Sequence, residues 1–216
     1  MRILVIEEDT HLQRFLARLL RTEGFVVDLS ERSADGLLMA KCYEFDVIVV
    51  ASRFADMTYQ RALGDIRDAT AAPIMVVFSE DKEHERIDAW NRGADDCVNL
   101  PISGSELVAR INALIRRSAG QPLPEIEMGE YKVDLVGKQV MRWDQVVELT
   151  GLEFGLVEYL AVNRGKVVSR TELNAHLYDE MDTCLSNRLD ARVSRIRRKL
   201  GRDFIKTHRG FGYSIN

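Results

Sequence analysis

The chain is poor in the residues that mark secreted and membrane proteins. Its three cysteines, Cys42, Cys97 and Cys184, are far apart with no CxxC pair, which argues against a disulfide framework or a cysteine zinc site. Four prolines and 14 glycines in 216 residues, with 46% of residues apolar, mean that the chain is not itself a disordered tail. There is material for two ordinary domains with buried cores. No apolar run approaches the roughly 20 residues that cross a bilayer, and Met1-Arg2 leads directly into a strand-like run where a secretory leader would place a basic then a hydrophobic segment. A protein with no membrane partner, in a reducing cytoplasm, is expected.

A net positive balance is also absent until the end of the chain. Residues 1–118 carry 15 Lys+Arg against 20 Asp+Glu, net −5, and residues 119–185 carry 6 against 12, net −6. The last 31 residues carry 9 against 2, net +7. A compact basic segment on an otherwise acidic chain is the footprint of phosphate-backbone binding, because the remainder would repel a polyanion.

The first 118 residues alternate short apolar runs with helical patterns. The runs Ile3–Ile6, Phe25–Val27, Val47–Val50, Ile74–Phe78 and Cys97–Val98 are rich in β-branched residues and nearly continuous, as strands buried on both faces should be. Among the helices between them, Leu12, Phe15, Leu16, Leu19 and Leu20 form an apolar stripe, with Arg14, Arg18 and Arg21 on the other side and Gly24 near the end. Five βα units predict an α/β, doubly wound parallel sheet whose site lies just beyond the carboxyl ends of its strands.

Residues 119–124, with Gly120, Pro122 and Pro124, break the pattern and are expected to link two domains, 1–118 and 125–216. Past the linker, short alternating strands at Tyr131–Leu135, Gln139–Arg142 and Val146–Leu149 precede helices over Thr150–Asn163, Ser169–Tyr178 and about Leu185–Leu200. Thr150/Glu153 and Ser169/Glu172 both have capping-box spacing. The tail, Phe204–Thr207 and Phe211–Ile215 around Arg209-Gly210, reads as a β-hairpin.

The third of these helices carries the strongest signal. Leu189, Val193, Ile196 and Leu200 form one apolar stripe, and Arg188, Arg192, Arg195 and Lys199 repeat its spacing about 100° around the axis. Opposite the stripe lie Asn187, Ala191, Ser194 and Arg198, small or hydrogen-bonding groups suited to base edges between phosphate-binding arginines. Taken alone the helix could be a solvated basic one. The two preceding helices and the hairpin bearing Lys206, His208 and Arg209 favour double-stranded DNA.

The segments Leu149-Thr150, Glu153, Gly165–Arg170, Asn187–Leu200 and Thr207–Tyr213 resemble the winged helix-turn-helix domain of OmpR/PhoB-type response regulators. The resemblance covers residues 125–216. It implies a third helix in the major groove and a wing at the minor groove, with Arg195 reading bases, Thr207 touching a phosphate and Arg209 as the wing arginine. Arg192, Arg198 and Lys199 would be further DNA contacts. The loop 179–186 corresponds to a segment that can touch RNA polymerase, and Asp179, Glu180 and Asp182 suit a protein target better than DNA.

Residues 1–118 resemble the receiver domain of the same family, through Ile6-Glu7-Glu8-Asp9, Pro73, Gly93–Asp96 and Leu100-Pro101. A working receiver holds Mg²⁺ on two carboxylates and accepts a phosphoryl group on an aspartate after strand three. It also uses a Thr or Ser after strand four and a Lys before the proline. An aspartate nucleophile and a phosphate dianion repel unless metal and ammonium neutralise the charge. Here Ala51 stands at the acceptor position, Phe78 at the Thr position and Leu100 at the Lys position, leaving Glu8 and Asp9. Ser52, one residue on, and Asp56, five on, do not restore the lysine. No cofactor and no metal site is expected; Glu8 and Asp9 read equally as an acidic cap for the following helix.

The resemblance also implies a homodimer through the receiver-like unit, held by charge pairs whose members here are Arg86 with Glu106, Asp96 with Arg110 and Asp95 with Arg117. Exposed pairs contribute only ~0.2 to 1 kcal/mol each, so they would set register more than affinity. The expected function is a DNA-binding transcriptional regulator, not an enzyme, that dimerises on promoter repeats without phosphorylation. Alternatives are a receiver answering a ligand, a partner or cysteine redox, and lastly a phosphoryl-transfer enzyme using Glu8 and Asp9.

Overall fold

The computed structural model describes residues 1–80, 83–121, 123–178 and 188–215. Its contacts divide the chain into two compact units, Arg2–Ser118 and Ala119–Asn216. The first unit runs β1 (Arg2–Ile6), α1 (Thr10–Thr22), β2 (Val26–Ser30), α2 (Ser33–Cys42), β3 (Val47–Ala51), α3 (Tyr59–Ala69), β4 (Ile74–Phe78), α4 (Glu83–Asn91), β5 (Asp96–Asn99) and α5 (Gly104–Ser118). All five strands are parallel, in the order β2-β1-β3-β4-β5. Every residue of β1, β3 and β4 is buried, which explains runs that are continuous rather than alternating. The winding reverses between β1 and β3, so the crevice of this sheet opens beyond Ile6 and Ala51.

Helix α1 corrects one expectation. Leu16, Ala17 and Leu20 are buried, but Phe15 is 54% exposed, and Gln13 takes the inward position at 5%. The Gln13 amide donates to the carbonyls of Glu7 and Ser30, each at 3.0 Å, tying the helix to the ends of β1 and β2. A buried amide with both N–H groups satisfied carries little desolvation cost.

The second unit opens with an antiparallel meander, β6 (Glu125–Met128), β7 (Tyr131–Asp134), β8 (Gln139–Arg142) and β9 (Gln145–Val147). It continues through α6 (Gly151–Val162), β10 (Val168–Ser169), α7 (Arg170–Leu177), α8 (Arg188–Leu200), β11 (Lys206–His208) and β12 (Gly212–Ser214). The hairpin β11–β12 gains β10 as a third strand, in the order β10-β12-β11. Gly212 makes this possible: at φ +150° a Cβ would lie 1.9 Å from the Val168 carbonyl oxygen.

Thr150 forms the full capping box of α6 with Glu153. Ser169 caps α7 by accepting the Glu172 N–H. The reciprocal half expected there is replaced, because the Glu172 carboxylate accepts from the Tyr159 hydroxyl at 3.1 Å. Glu172 thereby binds α7 to α6.

Candidate functional site

At the carboxyl end of the receiver sheet, β3 and β4 finish in buried apolar side chains. Ala51 ends β3 at 5% exposure and Phe78 ends β4 at 1%. Leu100 precedes a cis-Pro101 and its N–H donates to the Phe78 carbonyl at 2.8 Å. Phe78 meets Tyr59, the first residue of α3, edge to face at 5.7 Å. The Tyr59 hydroxyl donates to the Glu85 carbonyl at 3.1 Å and lies 3.4 Å from the Asp88 carboxylate. Burial, with Asp88 and Glu85 beside it, pushes the Tyr59 phenol up to about 12, so it remains a hydrogen-bond donor. A chain of contacts thus runs from the end of β4 through α3 to α4.

The acidic residues here do not act as one group. Asp9 caps α1, accepting from His11 at 2.8 Å and Leu12 at 3.1 Å, and those two bonds hold its carboxyl below the ordinary range. Glu8 accepts from the Ala55 N–H at 2.6 Å, on the loop after β3. Glu7 is the buried carboxylate, at 6% exposure, and burial raises its pKa although it accepts from the Asp9 N–H at 2.9 Å. Of the two readings of Glu8 and Asp9, the helix cap is the one Asp9 takes, while Glu8 accepts from the loop after β3; Glu7, which belongs to neither reading, turns inward. Asp56 crosses to α2, accepting from the Ser33 hydroxyl at 2.7 Å and the Ala34 N–H at 3.1 Å.

The magnesium ion that working receivers use does not fit these residues. Ala51 offers no side-chain oxygen, and Asp9 and Asp56 serve helix termini. Among the described residues no group of three or more His, Cys, Asp or Glu could hold a metal ion. The exposed Arg53 and Glu80 instead form an ion pair between the loops that follow β3 and β4.

The winged unit has the opposite character. Leu189, Val193, Ile196 and Leu200 of α8 are buried as expected, while Arg188, Ser194, Arg195 and Arg198 are exposed. Arg195 and Arg198 on the helix, and Lys206 and Arg209 on the wing, have no hydrogen bond or ion pair among the described residues. Asn187 and the loop 179–186 lie outside the described residues.

Two expected DNA contacts are corrected. Arg192 is buried at 8%, its guanidinium 4.7 Å from the centre of the Tyr178 ring, where burial lowers its pKa from the ordinary value. Lys199 donates to the Glu153 carboxylate at 2.7 Å and the Glu148 carbonyl at 2.9 Å. Both follow an apolar-stripe residue by three, Leu189 and Ile196, which places them only about 60° from the core-facing line. The Lys199 partner shapes Glu153: burial pulls its pKa up, but the ammonium and the Thr150 N–H outweigh that and leave it depressed.

Further groups fix α8. Asp190, in its first turn, accepts from Arg170 of α7 and from the Tyr213 hydroxyl of β12, and those bonds hold its carboxyl low. Arg170 also donates to the Tyr213 hydroxyl at 3.0 Å. Near the other end, Arg197 donates from Nε and Nη2 to the Ile205 carbonyl at 3.0 and 2.7 Å, and from Nη2 to the Thr207 hydroxyl at 2.7 Å. Arg197 directly follows a stripe residue; that position was the available signal.

On the receiver, α4 exposes Ile87 and Trp90, 47% and 48%. The charges expected to bridge two protomers have partners inside one chain. Arg110 binds Asp96 at 3.3 Å and Glu106 at 2.9 Å. Asp95 binds Arg67 at 3.1 Å and caps the Ile74 N–H at 2.8 Å, and Arg117 donates to the Ala113 carbonyl at 3.3 Å. Arg86 is half-buried on α4.

The match to known proteins runs through both units. Residues 3–112 match the response regulator receiver domain, and residues 144–215 the transcriptional regulatory protein C-terminal domain. The response regulator protein PmrA of Pseudomonas aeruginosa is 35% identical, covering 100% of this chain and 98% of that protein. The cell cycle transcriptional regulator CtrA of Caulobacter vibrioides is 31% identical over 100% and 96%. A solved structure described as a redox sensor of the streptococci, evolved from two-component response regulators, is 26% identical with a TM-score of 0.50, covering 100% and 98%. Among the described residues no helix is long and apolar enough to cross a membrane. The chain belongs to the response-regulator family, as a DNA-binding transcriptional regulator and not an enzyme, with a receiver and a winged-helix domain close to the OmpR/PhoB type.

Proposed function

We propose that this response regulator binds repeated DNA half-sites as a homodimer without aspartyl phosphorylation. What supports this reading is the apolar character of Ala51, Phe78 and Leu100 at the end of the receiver sheet, which the resemblance matches to the nucleophile, hydroxyl and ammonium. A methyl group forms no acyl phosphate, and without metal or ammonium the developing charge has no counter-ion. The Phe78–Tyr59–Glu85 contacts support α4 directly, so its outer face with Ile87 and Trp90 needs no phosphoryl group to be held. That face, with Arg86, Asp95, Asp96, Glu106, Arg110 and Arg117 around it, is where a second copy pairs, exchanging some within-chain ion pairs for pairs across a two-fold axis.

Arg188, Ser194, Arg195 and Arg198 face the major groove, Thr207 a phosphate and Arg209 the wing contact. One such helix per protomer reads a half-site of roughly 10 bp. The loop 179–186 is the surface offered to RNA polymerase, and the compartment is the cytoplasm. Selection of bound sites from a random DNA pool, using unmodified protein, tests the reading. A repeated half-site bound by two protomers supports it, and an unstructured pool of products overturns it.

A second reading, a receiver that answers a small molecule, would call for an enclosed apolar cavity beside Ala51. The groove of about 440 Å³ near the end of β3, lined by Ser52, Phe54, Met57, Thr58 and Gln60 among others, is open and more polar than apolar, and gives that reading little support. A redox response at Cys97 has no such support. Burial, with Asp96 adjacent, pushes that thiol up to about 12, away from the reactive thiolate.

A further inference from the structure

We propose that Arg197 is a positioning residue for DNA binding: it aims the Thr207 hydroxyl outward as a hydrogen-bond donor to a backbone phosphate. The inference rests on the DNA-binding reading above and assigns a mechanism to one of its contacts. A threonine hydroxyl has one proton to give and two lone pairs to receive. In this wing the Arg197 Nη2 donates to Thr207 Oγ1 at 2.7 Å, which occupies one lone pair. The same nitrogen and Nε are anchored on the Ile205 carbonyl at 2.7 and 3.0 Å, so the fork cannot swing away without losing three bonds.

The hydroxyl proton must then point away from the guanidinium. Thr207 is exposed, and its O–H donates to no group among the described residues. The neighbouring wing residues Lys206 and Arg209 are exposed cations without partners among the described residues, so an anion arriving there meets an oriented donor with a fixed positive charge behind it. A hydrogen bond to a charged acceptor is about twice as strong as a neutral one. The guanidinium contributes without itself reaching the phosphate. Lysine could supply the charge but not the planar fork that spans Ile205 and Thr207.

The test is a double-mutant cycle in the full-length chain, reading affinity for the selected DNA site by fluorescence anisotropy. Thr207→Val and Arg197→Gln should each weaken binding about threefold to tenfold, leave the preferred bases unchanged, and be non-additive, the double variant binding no worse than Arg197→Gln alone. Thr207→Ser should restore most of the affinity, because only the hydroxyl is needed. Additive losses, or a Thr207→Val variant that binds as well as the unmodified protein, would overturn the proposal. Should thermal melting show Arg197→Gln unfolded, Arg197→Lys takes its place: it should lose affinity like Thr207→Val, and full retention of affinity would contradict the fork. Failure of the unmodified protein to bind any selected site would instead overturn the DNA-binding reading itself.

Discussion

The end of the receiver sheet and the face of α8 with its wing differ in how their polar groups are used. At the sheet end β3 and β4 finish in the buried Ala51 and Phe78, and the carboxylates around them accept from backbone N–H groups of the same unit. On the winged unit Arg195, Arg198, Lys206 and Arg209 are left without partners among the described residues, while Arg192, Arg197 and Lys199 hold the frame. Filled positions stabilise, and unfilled ones bind. The contrast separates a sheet end whose polar groups are used internally from a helix and wing whose cations are left to meet a polyanion.

Phe78→Ala removes a fully buried ring and its contact with Tyr59, and is expected to destabilise the receiver by about 3 to 5 kcal/mol. Urea unfolding followed by circular dichroism measures it; a loss under 1 kcal/mol would mean that the ring fills nothing essential. On the winged unit Arg195→Ala is expected to relax base preference by ~1 to 3 kcal/mol, the range of a bidentate contact. Repeating the site selection with this variant checks it, and an unchanged motif would remove Arg195 from base reading.

The smallest expected effect concerns Glu7, whose pKa burial raises above its ordinary value of 4.5. A carboxyl with a raised folded-state pKa binds its proton more tightly when folded, so it favours the unfolded state once pH passes the unfolded value. Glu7→Gln keeps the acceptor for the Asp9 N–H and should raise the melting temperature at neutral pH. The gain should shrink as pH falls through the folded pKa and vanish below 4.5. Melting curves across that range decide it, and a destabilised variant at pH 7 would show Glu7 to be needed as an anion.

Much of this was legible in the sequence because the signals were periodic. Continuous β-branched runs announced the parallel sheet, and the charge reversal after residue 185 fell within the matched DNA-binding domain. What escaped depends on three-dimensional neighbours. Gln13 outcompetes Phe15 for the inward position because two carbonyls wait for its amide. Arg192 and Lys199 read as surface cations by spacing, but Tyr178 and Glu153 claim them. The Asp190–Arg170–Tyr213 cluster joins residues 20 to 43 positions apart, which no local pattern reveals. A two-residue strand such as β10 has no period to detect.

The most direct test of phosphorylation independence exposes the purified chain to a small phosphodonor with Mg²⁺, then records intact mass, dimer fraction by sedimentation, and affinity for the selected DNA site. No added phosphate mass, an unchanged dimer fraction and unchanged affinity are predicted. A stable phosphoryl adduct accompanied by tighter, more dimeric DNA binding would contradict the account.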